Sequence, residues 1–254
     1  MTDVAAWSSP ERSRPARWRV LVRKWYFLAM SLLLVAHVVI GFARTLFFRP
    51  WFDVPSIPTY LFVHGAILAT WYVWLCLQSA LVAAHRTDLH RRVGVVGVLV
   101  ATAVVAVSLV TVLNFIPRTR QTGVDVEAAS VTLVQLVIAS ALALTSFAGL
   151  VTLAVVHRRC PPLHKRLMLF ASIAIIGPAG SRMPATFGAL GLSPAIALFF
   201  LVILLASPIV YDLLERGRPH LVTVICLMVV IGSALLPLAA SRNESLRAFV
   251  LGLR

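Results

Sequence analysis

Six stretches of this chain, at about residues 25–43, 60–84, 93–115, 131–156, 195–211 and 221–240, contain no Asp, Glu, Lys or Arg. A helix rising about 1.5 Å per residue needs roughly 20 apolar residues to cross a bilayer. A shorter seventh run, at about 167–181, is interrupted by Gly177-Pro178 and ends at Arg182. Neighbouring helices can re-satisfy backbone groups that a proline frees, so this run also reads as a span. Lipid offers the backbone no hydrogen-bond partners, which leaves a helical bundle as the architecture for such runs. The expected fold is therefore all-α, a polytopic transmembrane bundle of about seven helices.

Composition agrees. Hydrophobic residues make up 60% of the chain and charged residues only 13%, against about 25% in a soluble domain. The formal charge of +14 would suggest nucleic acid if the chain were soluble. Here the basic residues sit in short clusters between apolar runs, so the expected partner is the lipid bilayer and nucleic acid is not expected. With the N-terminus in the cytoplasm, the cytoplasmic segments hold fifteen of the 23 Lys and Arg and the opposite side holds eight. Each inside loop then obeys the positive-inside rule. That count needs the short fifth span, and it places the protein in a bacterial inner membrane as a multi-pass protein. Residues 1–23 read as a disordered basic cytoplasmic tail, 24–240 as the membrane domain and 241–254 as a short extracytoplasmic tail. The first run is too long for a signal-peptide core and is taken as retained. Trp51, Phe52 and Tyr60 suit an aromatic belt, and Pro55 and Pro58 keep the first connection extended.

A repeat is visible in the loops. HRTDLHRR (85–92) follows the second span and HRRCPPLHKR (157–166) the fourth, with a weaker echo in RGRPHL (216–221). Spans 2–3, 4–5 and 6–7 thus read as three hairpins of one orientation. The three cysteines, Cys76, Cys160 and Cys226, have no zinc-ligand spacing and read as packing residues.

Seven histidines in so apolar a chain are the chief lead to function. Ionisable groups at membrane depth are costly and tend to face the bundle interior. His37 and His64 fall at similar depth on adjacent spans, which suits axial ligands of a b-type haem. Arg44, Arg49 and Arg182 then suit its propionates. His64, Trp71, Gln78 and His85 recur every seven residues and share one face, which suits the lining of a small polar cavity. His90 and His164 occupy equivalent places in the repeat and form an inner candidate pair. His85, His157 and His220 read as residues of positive loops. On the third span His90, Gly94, Gly97, Ala101 and Ser108 make a face of small residues, which predicts close packing and a central place for that span. The apolar runs contain no carboxylate, and no phosphate loop, HExxH or GxSxG motif is present.

The string HG (64–65), Trp71, Trp74, QSALV (78–82), LHRRVG (89–94), LHKRLM (163–168), Arg182, YDL (211–213) and RGRPH (216–220) resembles a widespread family of uncharacterised seven-helix bacterial membrane proteins. That resemblance implies the helix count and no activity. A looser similarity to membrane b-type cytochromes departs at the fourth span, which offers Gln135 where a ligand is wanted. Three readings of function stay open: binding of a small molecule or lipid within the bundle for transport or sensing, a b-type haem or redox protein, and a non-catalytic scaffold.

Overall fold

The computed structural model describes residues 17–52, 54 and 56–252, and among these it contains no strand. Helix α1 (Arg17–Gly41) runs into a single π turn, Ala43–Phe47. Helices α2 (Thr59–Ala83) and α3 (Thr87–Leu113) follow as a tight hairpin, and α4 (Phe115–Gln121) is short. Next come α5 (Ser130–Val156), α6 (Pro161–Ala174), α7 (Gly177–Gly180) and α8 (Met183–Ala189). The chain finishes with α9 (Ile196–Arg216), α10 (Leu221–Ala240) and α11 (Glu244–Gly252).

Six of these helices, α1, α2, α3, α5, α9 and α10, are long and apolar enough to cross a membrane. The fifth sequence run is a bent pair instead: α6 and the α7–α8 segment meet at 47°, and counting the pair as one span makes seven. Pro178 has no N–H to give the Ala174 carbonyl and its ring crowds that carbonyl, which forces the break. Short turns, such as Ile176 N–H to Ile173 O at 3.2 Å, re-pair the backbone there.

The broken helix lies at the centre. From Arg166 to Ala174 every α6 side chain except Met168 is buried. It packs against Trp71 and Tyr72 of α2, Phe147 and Val151 of α5, Leu204 of α9 and Cys226 of α10. This corrects the expectation that the third span is central. The small residues Gly97 and Ala101 of α3 are buried, yet Val95 and Leu99 beside them are each 66% exposed. The α3 small face only lets that helix press against α2, because a Cβ on Gly97 would come 2.8 Å from Trp74 Nε1. Large apolar side chains also face outward along α9 and α10, among them Phe199, Leu198 and Met228. On that scale an exposed apolar surface is a solvent-facing liability, and lipid is the medium that suits it.

The ends differ from the sequence reading in two places. Helix α1 begins at Arg17, inside the stretch read as a disordered tail; residues 1–16 of that stretch, like Asp53 and Pro55, lie outside the described residues. Its first turns carry Trp18 and Trp25 with the Arg19 and Lys24 charges over their rings at 5.3 and 4.9 Å, an arrangement suited to a membrane interface. The C-terminal stretch holds α11, whose Val250 joins Ile116, Leu133, Val134 and Val137 in a second small core. The three hairpins also differ: α2 with α3, and α5 with α6, pack along their lengths, whereas α9 and α10 touch at few places.

Candidate functional site

The end of the bundle that carries the basic loops holds all but one of the ion pairs among the described residues. Successive residues of a helix turn by about 100°, so His164, Lys165 and Arg166 in the first turns of α6 fan out to three different neighbours. His164 Nδ1 lies 2.9 Å from the Ala154 carbonyl of α5. A carbonyl only accepts, so Nδ1 carries the proton and Nε2 is left free in the neutral ring. Lys165 donates to the Tyr211 hydroxyl at 2.8 Å and stands over the Phe27 and Tyr211 rings. Arg166 is paired with Asp212, and both are almost wholly buried.

Asp212 is the hub of that network. It accepts from Arg166, from the Thr223 hydroxyl and from the His220 backbone N–H at 3.0 Å. Arg166 also donates to Thr223 Oγ1 at 3.2 Å and to the Pro162 carbonyl at 2.8 Å. One turn further on, Glu215 meets Arg23 of α1 at 3.1 Å and both Lys165 and Arg166 at 3.9 Å. Helices α1, α6, α9 and α10 are thereby tied by charge. The sequence reading missed this cluster, because it ended the sixth run at Tyr211 and so counted no carboxylate within a span. The helix continues to Arg216. The signal was the Tyr211-Asp212-Leu213 string itself, which was taken only as part of a resemblance.

His220 closes the network from outside the helices. Its Nδ1 accepts the Val222 N–H at 3.1 Å and so caps α10. Burial first, then the nearby Arg166 and Arg216 charges, hold its imidazole below the ordinary histidine range. The neutral ring is the one that can accept.

Beside this network runs the α2–α3 seam. His64 Nδ1, Trp74 Nε1 and Gln78 Nε2 on α2 and His90 Nδ1 on α3 are all shut off from solvent without a well-formed hydrogen bond, the His90 ring turning toward the Gln78 backbone as His64 turns toward that of Val107. The His90 and His164 rings stand edge to face with centroids 6.2 Å apart. The inner histidine pair read from the repeat is thus brought together, at the mouth of the seam.

The other sequence candidates are dispersed. His37 is 2% exposed, places Nδ1 3.1 Å from the Leu33 carbonyl and packs edge-on to Phe200 of α9. His64 turns instead toward the Val107 backbone of α3. The two rings do not face each other. Trp71 is 1% exposed, donates to Ser172 Oγ at 3.1 Å and packs edge-to-face on Phe147. It fills the core where a cavity lining was expected, so the seven-residue stripe divides, with His64 and Gln78 toward α3 and Trp71 toward α6. Cys160 is exposed in the turn before α6, while Cys226 is buried. Arg44 and Arg182 lie at the opposite end of the bundle.

The placements of His37 and His64 do not fit a b-type haem held between them. Its ligands must approach the iron from opposite faces of a planar ring. His37 and His64 look into different helix pairs. Among the described residues no group of three or more His, Cys, Asp or Glu is placed to hold a metal ion.

The fold and its apolar surface define a polytopic α-helical membrane protein. Comparison with protein-family models, with curated proteins and with solved structures gives no match.

Proposed function

We propose that this protein binds a small polar ligand or lipid headgroup in the α2–α3–α6 seam, as part of transport or sensing in a bacterial inner membrane. The cytoplasmic placement of the seam follows from the excess of Lys and Arg at that end. The observation that carries the reading is the row of three buried side-chain nitrogens without a well-formed hydrogen bond, Trp74 Nε1, Gln78 Nε2 and His90 Nδ1. A buried polar atom without a partner costs about 1–3 kcal/mol, and three on one seam call for a guest. An indole N–H only donates and an amide nitrogen only donates, so the guest presents acceptor oxygens, as a carboxylate or amide carbonyl does. His90 and His164 stand together at the headgroup end of the seam.

The test is thermal unfolding of the purified protein in neutral detergent, with benzoate and benzamide as acceptor probes. Stabilisation of the wild type that is lost in Gln78→Leu and Trp74→Phe supports the seam as the site. If no probe acts and both variants unfold at higher temperature than the wild type at every probe concentration, the nitrogens are a packing defect and the reading fails. A dithionite-reduced absorbance spectrum without a Soret band is the expected companion result.

A further inference from the structure

At the end of the bundle away from the basic loops, cations gather without a paired anion among the described residues. Arg44 sits in the π turn that finishes α1, and its Nη1 donates to the Ala185 carbonyl of α8 at 3.4 Å. Arg182, which precedes α8, reaches back the other way: its guanidinium lies 5.0 Å from the centre of the Phe42 ring, two residues before Arg44. Each arginine therefore lies against the other's segment. The two segments are locked by backbone contact, because a Cβ on Gly41 would come 2.3 Å from the Ala179 carbonyl oxygen. Arg118 of α4 lies near enough for its charge to act on Arg182.

Among the described residues none of these three has a carboxylate within salt-bridge distance; the ion pairs engage Arg23, Arg86, Lys165, Arg166 and Arg247 instead. Glu244 is held by Arg247, and Asp125 accepts the Glu127 and Ala128 N–H groups. Each guanidinium has five N–H donors. Arg44 uses one, on Ala185, and Arg182 one, on Pro178 at 2.7 Å. Arg44 Nε is shut off from solvent with no partner. The Arg44 guanidinium is also 5.6 Å from the Phe52 ring, so each arginine is held by an aromatic ring from a different segment, with donors to spare. The like charges of Arg118 and Arg182 act on each other and are relieved by an anion placed between them.

We propose that Arg44 and Arg182, with Arg118 at the rim, bind a phosphate group, either the headgroup phosphate of an anionic phospholipid in that leaflet or a free phosphate. A planar carboxylate is satisfied by one guanidinium fork, whereas tetrahedral phosphate oxygens accept from two forks that arrive from different segments. The site is independent of the seam on α2 and α3, and either can fail alone.

The experiment measures thermal unfolding of the full chain in neutral detergent against two probes. One is phosphatidylglycerol, compared with a diacylglycerol of the same chains; the other is sodium phosphate, compared with chloride at equal ionic strength. Wild-type protein is expected to gain several degrees with at least one phosphate probe. Response to the lipid alone assigns the site to a headgroup, and response to inorganic phosphate assigns it to a free anion. The half-saturating concentration rises about tenfold or more in Arg44→Gln and Arg182→Gln, and stays unchanged in Arg159→Gln at the other end. If either glutamine variant does not fold, Arg44→Lys, which keeps the charge and loses the fork, carries the same expectation. A wild type indifferent to both probes, variants that respond as the wild type does, or an equal loss in Arg159→Gln overturns the proposal.

Discussion

Removing the Asp212 carboxylate tests whether the charged network is what holds the basic end of the bundle together. Asp212 is 0% exposed and its partner Arg166 4%, so Asp212→Ala leaves a guanidinium buried with only Thr223, the Pro162 carbonyl and the more distant Glu215 to face. Deleting one member of a buried pair costs about 3–5 kcal/mol, mostly because the other charge is stranded. For a chain of this length that is a fall in unfolding temperature of roughly 10 °C. Replacing both members, in Arg166→Met with Asp212→Leu, removes the stranded charge and is expected to recover most of the loss. The assay is intrinsic-fluorescence unfolding in detergent, with the yield of monodisperse protein as a second readout. An Asp212→Ala protein that unfolds within about 2 °C of the wild type would falsify the argument, and so would a double variant weaker than either single one.

Two further outcomes are expected at helix junctions. Gly41→Ala places a Cβ against the Ala179 carbonyl, where backbone cannot yield as a side chain can; overpacking of this kind costs about 1–3 kcal/mol, and an unfolding temperature equal to wild type would show that α1 and α7 do not meet so closely. The His220 cap gives a pH dependence: because its folded-state imidazole titrates below the unfolded one, its contribution is complete above the unfolded value near 6.5 and is lost as pH falls below it. His220→Ala removes about 1 kcal/mol at pH 8 and less at pH 5, whereas His220→Asn retains the cap at both; parallel pH profiles for wild type and His220→Ala would contradict this.

Run length and charge read the bundle well, because crossing lipid imposes a single length scale on every span. The proline break was legible in Gly177-Pro178, although not that the broken helix would become the core, since burial of α6 depends on its neighbours and not on its own composition. Azimuth around a helix was not legible. His37 and His64 were placed at similar depth, yet one faces Phe200 and the other Val107. His90 and His164 do meet, since the two hairpins that carry them pack alike and place equivalent turns side by side. Asp212 escaped because a rule that ends spans at the first charge cannot anticipate a charge neutralised by a partner on another helix.

The uneven length of α3 has a consequence for access. Its uncharged part, residues 93–113, is about 32 Å long at 1.5 Å per residue and spans the hydrocarbon unaided. The first turns of α3, from Thr87 to Arg92, therefore stand in the headgroup layer, and the opening turns of α6 lie beside them. Gln78 is five residues from the end of α2, about 8 Å deeper, and Trp74 about 14 Å. The buried nitrogens of the seam are thus strung from the headgroup layer at His90 to about halfway through the bilayer at Trp74. A ligand held in the seam as proposed would pass His90 and His164 first and would meet hydrocarbon only beyond them.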